Sequence, residues 1–213
     1  MTSSLTKGLL IAIEGIDGSG KSTLAHNLFT LLHSKQYPVL LTKEPGDTAL
    51  GKKIRELVQT QTIPLATKSE YLLFAADRAQ HFSELIIPAL EQKKIIISDR
   101  LSDSSLAYQG YGRGLDLEQL HQINHWAMDT ISPDLTIFVR IPVDLALERI
   151  TKRNEISAFE KKHFLQKVSD GFEILYKNHT DVIILDGTQS IESLTRQTYA
   201  AIEQWIDKKT LLS

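Results

Sequence analysis

The sequence predicts an α/β protein in which helices cover both faces of a parallel β-sheet. Five short apolar runs, rich in β-branched residues and bounded by turn-forming residues, cover positions 9–13, 39–42, 95–98, 135–141 and 182–186. Each run is continuously apolar rather than alternating, which is typical of strands buried on both faces. Segments with helical spacing lie between the runs, and strands that alternate with helices form parallel sheets with right-handed crossovers.

The predicted helices follow from apolar residues spaced three and four positions apart. Residues 22–34 place their leucines on one face, and residues 69–93 keep the same spacing with an interruption at Pro88. Further helices are predicted over residues 117–129, 143–153, 160–177 and 191–207. The polar stretch 151–163 lacks an apolar stripe of either period, so we expect a mobile segment there.

Length and composition predict a single domain over residues 1–213. The chain is 42% hydrophobic and 23% charged, as expected for a folded globular protein. It contains no cysteine, which excludes disulfides and zinc–cysteine sites. The apolar run 9–13 is too short to span a membrane, and a net charge of −2 argues against a broad nucleic-acid surface. We therefore expect a cytoplasmic protein that binds neither membranes nor nucleic acid.

Residues 15–22, GIDGSGKS, match the phosphate-binding pattern G-x-x-x-x-G-K-[ST] between the first predicted strand and the first predicted helix. The glycines let backbone amides point at a phosphate, the helix amino terminus adds partial positive charge, and Lys21 adds a full charge. Ser22 is a candidate magnesium ligand. The alternative is a plain glycine turn. The pattern predicts an ATP site formed by Gly15, Ile16, Asp17, Gly18, Ser19, Gly20, Lys21, Ser22 and Thr23.

The loop alone leaves open whether a phosphoryl group passes to water or to a second molecule. A guanine-nucleotide switch should carry an Asn-Lys-x-Asp tetrapeptide, and the sequence has none. A hydrolytic switch is therefore disfavoured, and an acceptor site should exist elsewhere in the chain.

A second group of polar residues follows the apolar run 95–98. Asp99 and Arg100 come at its carboxyl end, where ligands bind in open α/β sheets. Asp99 can hold magnesium through water beside Ser22, and Arg100 is positioned for a phosphate. A surface ion pair is the alternative. The residues that follow include hydrogen-bonding and aromatic groups suited to a base and a sugar, namely Ser104, Ser105, Tyr108 and Gln109.

Two further groups of residues each share a predicted helix face. Phe74 and Arg78 are four apart, so a ring and a guanidinium can stack on and hydrogen-bond one nucleobase, unless they are a core phenylalanine and an exposed arginine. Arg149, Lys152 and Arg153 point one way from a helix that enters the polar stretch. The alternative for these three is a solvated basic face.

Five segments in order along most of the chain resemble the thymidylate kinase family, bacterial type. They are EGIDGSGKST (14–23), EPG (44–46), AADRAQH (75–81), DRLSDSSLAYQGYGRG (99–114) and PDLTIFV (133–139). The resemblance implies a P-loop kinase fold with a five-stranded parallel sheet, a homodimer, and a short mobile lid over about residues 150–162. It also implies transfer of the ATP γ-phosphoryl group to dTMP with magnesium, giving dTDP for dTTP synthesis.

The resemblance also implies roles for residues that contact the base. Phe74 would stack on thymine and Arg78 would bond its O4. Ser105 and Gln109 would reach other base atoms. Tyr108 would crowd the sugar 2′ position and so favour deoxyribose.

Roles at the phosphates follow in the same way. Arg55 and Arg100 would grip the acceptor phosphate, and Asp17 would meet the sugar 3′-hydroxyl or the hydrated metal. Lys21 and Asp99 would serve catalysis with Arg100, because phosphoryl transfer depends on neutralising charge. The lid would add Arg149 or Arg153, since the family's usual Asp-Arg pair is Ser157-Ala158 here.

Other departures from the family pattern are Leu101, where an aromatic residue or histidine is usual, and Lys43, which keeps the charge of the usual arginine without its bidentate fork. Two alternative functions remain open: a deoxynucleoside kinase, and a non-catalytic ATP-binding regulator. Glu14, at the end of a buried strand, is expected to be a structural partner of loop amides or of a nearby cation.

Overall fold

The computed structural model describes residues 7–60, 63–151, 158–177, 179 and 181–210. Within these residues one sheet of five parallel strands has the order β2-β3-β1-β4-β5. The predicted α/β class with a parallel sheet is confirmed. The strands are β1 Leu9–Glu14, β2 Val39–Lys43, β3 Ile95–Asp99, β4 Leu135–Arg140 and β5 Val182–Asp186.

Helices cover both faces of the sheet. The predicted helix over 69–93 is divided into α3, a π-helical segment at Phe82–Ile86, and α4; a second π-helical segment, Leu106–Gly112, follows α5. Helix α2 was not predicted. The helices are α1 Lys21–Ser34, α2 Ala49–Thr60, α3 Thr67–His81, α4 Ile87–Glu91, α5 Ser102–Ser105, α6 Leu117–Ala127, α7 Val143–Thr151, α8 Ala158–Tyr176 and α9 Ile191–Thr210.

The central strand β1 explains why the sheet is buried on both sides. Leu9, Ile11 and Ile13 pack with α1 and α9, whereas Leu10 and Ala12 pack with the helical layer on the opposite face. Burying a side chain of this size contributes about 1.5–3 kcal/mol. Alternate residues of a strand point to opposite faces, so a continuous apolar run is the pattern that such a strand requires.

The strand order brings the carboxyl ends of β1 and β3 together. Ile13 pairs with Asp99 in the parallel register, so the loop after β1 and the loop after β3 begin side by side. The positions of both predicted polar clusters follow from this one pairing. No helix among the described residues is long and apolar enough to cross a membrane.

Candidate active site

Three glycines set the conformation of the loop between β1 and α1. Gly15, Gly18 and Gly20 have φ values of 145°, 81° and 98°, a region that favours glycine. A Cβ at Gly15 would lie 2.6 Å from the carbonyl oxygen of Val139, and one at Gly18 would lie 2.5 Å from that of Ala146. The loop conformation therefore depends on glycine for both its torsions and its packing.

Lys21 is folded back onto this loop. Its Nζ donates to the carbonyl oxygen of Ile16 at 2.8 Å, and the residue is only 5% exposed. Burial, and then the nearby charge of Arg100, lower the pKa of Lys21 to about 8. An anionic phosphate beside the ammonium group would favour its charged form.

Ser22 and Asp99 form the best candidate metal site. The Ser22 hydroxyl donates to Asp99 Oδ2, which joins the start of α1 to the end of β3. Asp99 Oδ1 is buried, and among the described residues it has no hydrogen-bond partner. A hydroxyl beside a carboxylate with one free oxygen fits a hydrated Mg²⁺ ion, which prefers oxygen ligands and keeps several waters.

Arg100 begins the segment that follows β3, residues 100–114, which is called the second loop below. Its φ of 76° is unusual for a side chain larger than glycine. Its Nη1 donates to the Gly15 carbonyl at 3.2 Å and to Ser104 Oγ at 2.9 Å, and its Nη2 donates to Asp17. Burial opposes the charge, but Tyr108 and the surrounding carboxylates raise the pKa of Arg100 above its usual value. The guanidinium is therefore a fixed cation.

Asp17 connects the phosphate loop to the second loop. Its carboxylate pairs with Arg100, and its backbone amide donates to the Tyr108 hydroxyl at 2.9 Å. Burial alone would raise the pKa of Asp17, but Arg100 and Lys21 lower it below the usual value. The Asp17 side chain is 56% exposed, so it remains accessible to a ligand.

Arg78 is buried, so it is not the exposed arginine of the alternative interpretation. Its Nε donates to Glu44 Oε2 at 2.9 Å, its Nη1 to Asn124 Oδ1 at 2.6 Å, and its Nη2 to Ser105 Oγ at 3.1 Å. Phe74, one turn earlier on α3, is half-buried and lines the same cavity. The four-residue spacing does place both groups at one site.

Glu44, Asp77 and Asn124 were missed as site residues. Glu44 also hydrogen-bonds His81 Nδ1 at 2.9 Å, and the carboxylate of Asp77 accepts from the Gly46 amide at 3.2 Å. Burial and the neighbouring Glu44 carboxylate raise the pKa of Asp77 to about 6. The segment EPG and the stretch AADRAQH pointed to this region, but nothing in their spacing indicated that they bond each other.

The cavity that most of the predicted acceptor residues line, called the acceptor-side cavity below, has a volume of about 260 Å³. It lies between α3, the second loop and the start of α8, where Phe164 packs edge-on to Tyr108 with ring centroids 6.1 Å apart. Glu70 accepts from Gln109 at 2.9 Å and from Arg113 at 3.2 Å at the cavity wall. All the predicted acceptor residues except Arg55 line it, namely Asp17, Phe74, Arg78, Arg100, Ser105, Tyr108 and Gln109.

The nucleotide-side cavity is larger, about 1000 Å³. Of the predicted ATP residues, Gly15 and Ile16 do not line it, and Ile16 is buried in the apolar cluster beneath the loop. The two cavities share a wall formed by Asp17, Glu44, Pro45, Gln59 and Arg100. The nucleotide-side cavity is lined by residues 17–23 together with Arg55, Asp99, Arg100 and Arg149.

The remaining predicted basic residues differ in position. Arg55 donates to the Pro45 carbonyl at 2.8 Å, beside the shared wall. Arg149 donates to the carbonyls of Gly18 and Gly187 at 3.3 Å each, so it contacts the outer side of the phosphate loop. Arg153 lies outside the described residues, as do the other residues of the predicted lid between 152 and 157.

Glu14 does contact loop amides, but those of the second loop. Oε1 accepts from the Leu101 amide at 2.7 Å and from the Ser104 amide at 3.3 Å, and Oε2 accepts from Ser104 Oγ at 2.6 Å. Burial and the neighbouring Asp103 carboxylate raise the pKa of Glu14 to about 7. Glu14 lines neither cavity.

Comparisons with known proteins agree with the motif-based resemblance, which is confirmed. The family model described as thymidylate kinase matches residues 13–198. A thymidylate kinase of Halothermothrix orenii is 41% identical over 202 residues, covering 92% of this chain and 97% of that protein. A probable thymidylate kinase of Thermococcus gammatolerans is 43% identical, covering 93% and 98%. The crystal structure of thymidylate kinase from Ehrlichia chaffeensis matches with a TM-score of 0.75 and 33% identity, covering 92% and 98%.

Proposed function

Since the chain belongs to the thymidylate kinase family, we propose that it transfers the γ-phosphoryl group of ATP to dTMP, giving dTDP and ADP. The observation that supports this most directly is the wall shared by the two cavities, because Asp17 and Arg100 line both of them. Two anions bound in these cavities would be adjacent at Arg100, which is the requirement for direct transfer.

The chemistry requires little covalent help from the protein. An oxygen of the dTMP phosphate attacks the γ-phosphorus, and the bond from that phosphorus to the β–γ bridging oxygen breaks, leaving ADP. The attacking oxygen is already ionised at neutral pH, so no general base is needed. Positioning and charge neutralisation supply the catalysis.

The basic residues supply that neutralisation. Lys21 would release the Ile16 carbonyl and meet the ATP phosphates, and Arg100 would contact the transferring and acceptor phosphates. Arg55, beside the shared wall, would hold the acceptor phosphate from the α2 side. Arg149 would hold the phosphate loop in shape through the Gly18 carbonyl, and Arg153 is proposed as the lid cation.

Ser22 and Asp99 would hold Mg²⁺, the Ser22 hydroxyl directly and Asp99 through water. When bound, the ion supplies charge neutralisation at the β- and γ-phosphates. The free Oδ1 of Asp99 supports this assignment.

The acceptor residues select thymine and deoxyribose. Phe74 would stack on the base, and Arg78, Ser105 and Gln109 would meet its polar edge. The Tyr108 hydroxyl is fixed by the Asp17 amide at 2.9 Å, and in that position it would exclude a ribose 2′-hydroxyl. A cavity of about 260 Å³ suits one mononucleotide rather than a polymer.

The proposal is tested by measuring ADP release with ATP, Mg²⁺ and each of five acceptors: dTMP, thymidine, dUMP, ribothymidine monophosphate and AMP. Turnover is expected with dTMP and not with thymidine, because a nucleoside offers no phosphate to Arg55 and Arg100. Turnover on thymidine with none on dTMP would instead indicate a deoxynucleoside kinase. Binding of ATP with no turnover on any acceptor would indicate a regulator.

We also propose a cytoplasmic homodimer in which each chain is a single domain. Exposed apolar side chains on neighbouring helices support a self-association surface: Leu57 on α2, Leu72 on α3 and Trp126 on α6 are 40%, 54% and 79% exposed. Light scattering should give twice the 24.0 kDa chain mass, and a mass of one chain would contradict this part of the proposal.

A further inference from the structure

We propose that Glu14 is a positioning residue that aims Arg100 at the phosphates through Ser104. The inference rests on the proposed role of Arg100 in phosphoryl transfer. Glu14 lines neither cavity and is fully buried, so any effect on the reaction must pass through the residues that it holds.

The first link is to the backbone. Arg100 has a φ of 76°, and its amide donates to the Ile13 carbonyl at 3.0 Å. The next amide, of Leu101, donates to Glu14 Oε1 at 2.7 Å. The end of β1 therefore holds the chain on both sides of the Arg100 Cα. A left-handed conformation of a residue other than glycine persists where its surroundings fix it.

The second link is to the guanidinium. Ser104 Oγ donates to Glu14 Oε2 at 2.6 Å and accepts from Arg100 Nη1 at 2.9 Å. A hydroxyl has a single proton to donate, and Ser104 donates it in its hydrogen bond to the Glu14 carboxylate. A lone pair of the serine oxygen is then directed at Arg100, whose guanidinium can only donate.

This polarity explains why an acid rather than an amide is needed at position 14. The carboxylate oxygens accept from both Leu101 and Ser104. A glutamine that keeps its oxygen on the Leu101 amide would turn its NH₂ group toward Ser104, whose oxygen would then accept from both the amide and Arg100 while its own proton lost its acceptor. The Ser104 hydroxyl would no longer be fixed by a carboxylate, so its oxygen would be held less firmly toward Arg100.

The expected consequence is a loss of positioning, not of binding charge. A displacement of about 1 Å at a reacting group can lower a rate by about 100-fold. Glu14→Gln and Ser104→Ala should each lower kcat/KM for dTMP by about tenfold or more, with the larger part in kcat. The KM for ATP should change by less than about twofold.

The experiment is a double-mutant cycle on kcat/KM for dTMP, measured at pH 8, where Glu14, with a pKa of about 7, is ionised. Glu14→Gln and Ser104→Ala are each measured in the wild-type background and in an Arg100→Ala background. If they act through Arg100, each should lower kcat/KM by less than about twofold once Arg100 is absent. Ser104→Ala removes one hydroxyl only, so it keeps the test valid if Glu14→Gln fails to fold.

Thr136→Val serves as the control for general destabilisation, since Thr136 is 7% exposed and lies near the amino-terminal end of β4, away from the cavities. It should lower Tm without splitting kcat from KM. If Glu14→Gln or Ser104→Ala lowers kcat/KM by the same factor in the Arg100→Ala background as in wild type, the inference about Glu14 is wrong. The proposed role of Arg100 would not be affected by that result. A near-normal Arg100→Ala enzyme would overturn both the inference and the proposed role of Arg100.

Discussion

Glu14 is fully buried and accepts three hydrogen bonds. Its ionisation should therefore change the free energy of unfolding. Burial and the Asp103 carboxylate raise its pKa to about 7 from its usual value of about 4.5, although the Ser104 and Leu101 donors favour the ionised form. The folded protein therefore holds a proton on Glu14 over a pH range in which the unfolded chain has released it.

Stability should thus fall as pH rises from about 4.5 to 7, because the native state binds more protons than the unfolded state there. The contribution present at low pH, of the order of 3 kcal/mol, is lost as pH passes through the folded-state pKa. Urea titrations of wild type and Glu14→Gln from pH 5 to 8 should show that wild type loses free energy of unfolding relative to the variant. Parallel curves would contradict this assignment, and the titration of Asp77 cancels because both proteins carry it.

Asp17 contacts the acceptor side more closely than its place in the phosphate loop indicates. Its carboxylate pairs with Arg100, whereas its amide meets Tyr108. Asp17→Asn keeps the size and removes the charge, so kcat/KM for dTMP should fall by about tenfold or more, the scale of a lost charged contact of about 1.5–3 kcal/mol. The Kd for ATP, measured by calorimetry, should change by less than about threefold. An equal loss for both ligands would make Asp17 a structural residue of the loop.

At the scale of elements, the acceptor site depends on close packing of the π-helical segment Leu106–Gly112 against α8. This segment carries Tyr108 and Gln109 into the cavity. Glycines permit the approach: a Cβ at Gly171 would lie 2.7 Å from the Cβ of Tyr111. Helix α8, which begins within the predicted lid, thereby contacts the wall of the cavity that the predicted acceptor residues line.

Gly171→Ala should therefore destabilise the protein even though alanine is the better helix former. Its helical advantage is about 1 kcal/mol, and overpacking costs about 1–3 kcal/mol. We expect Tm to fall by about 2–4 °C for each kcal/mol of net loss, together with a raised KM for dTMP. Lys167→Ala, an exposed position on the same helix, is the control and should leave both quantities nearly unchanged. A higher Tm for Gly171→Ala would show that the two elements can separate without cost.

At the scale of the whole molecule, the strands were predictable because each run is apolar at consecutive positions, a pattern typical of a sheet covered on both faces. Strands β1, β3 and β4 are buried as expected. The edge strands β2 and β5 are only partly buried, and Ile184 is 41% exposed, so the prediction of burial on both faces was wrong for them. Helix α2 escaped prediction because it buries little, namely Gly51 and Ile54. The π-helical segment Leu106–Gly112 escaped prediction because its glycines, Gly110 and Gly112, are only two residues apart and are typical of a loop. Periodic spacing of apolar residues indicates which face of an element is buried. Helix α2 buries few residues, and the π-helical segment has no regular helical period.

The candidate site also contains residues that the sequence could predict and residues that it could not. Asp99 and Arg100 were predicted together because they are adjacent at a strand end, and the β1–β3 pairing then places them beside the phosphate loop. Two partners of Arg78, Glu44 in the loop after β2 and Asn124 on α6, are far from it in the sequence, so no sequence spacing could reveal them. Arg153 lies outside the described residues, and its role stays a prediction.

The central claim is that Arg100, at the wall between two cavities, serves the phosphate of each substrate. The most direct measurement is kcat/KM for dTMP at saturating ATP, compared between wild type, Arg100→Ala and the control Arg140→Ala. Arg140 pairs with Glu173 outside both cavities, so its loss should change the value by less than about twofold. Arg100→Ala should lose at least about 100-fold, or about 3 kcal/mol of transition-state stabilisation. An Arg100→Ala enzyme within about threefold of wild type would contradict the account.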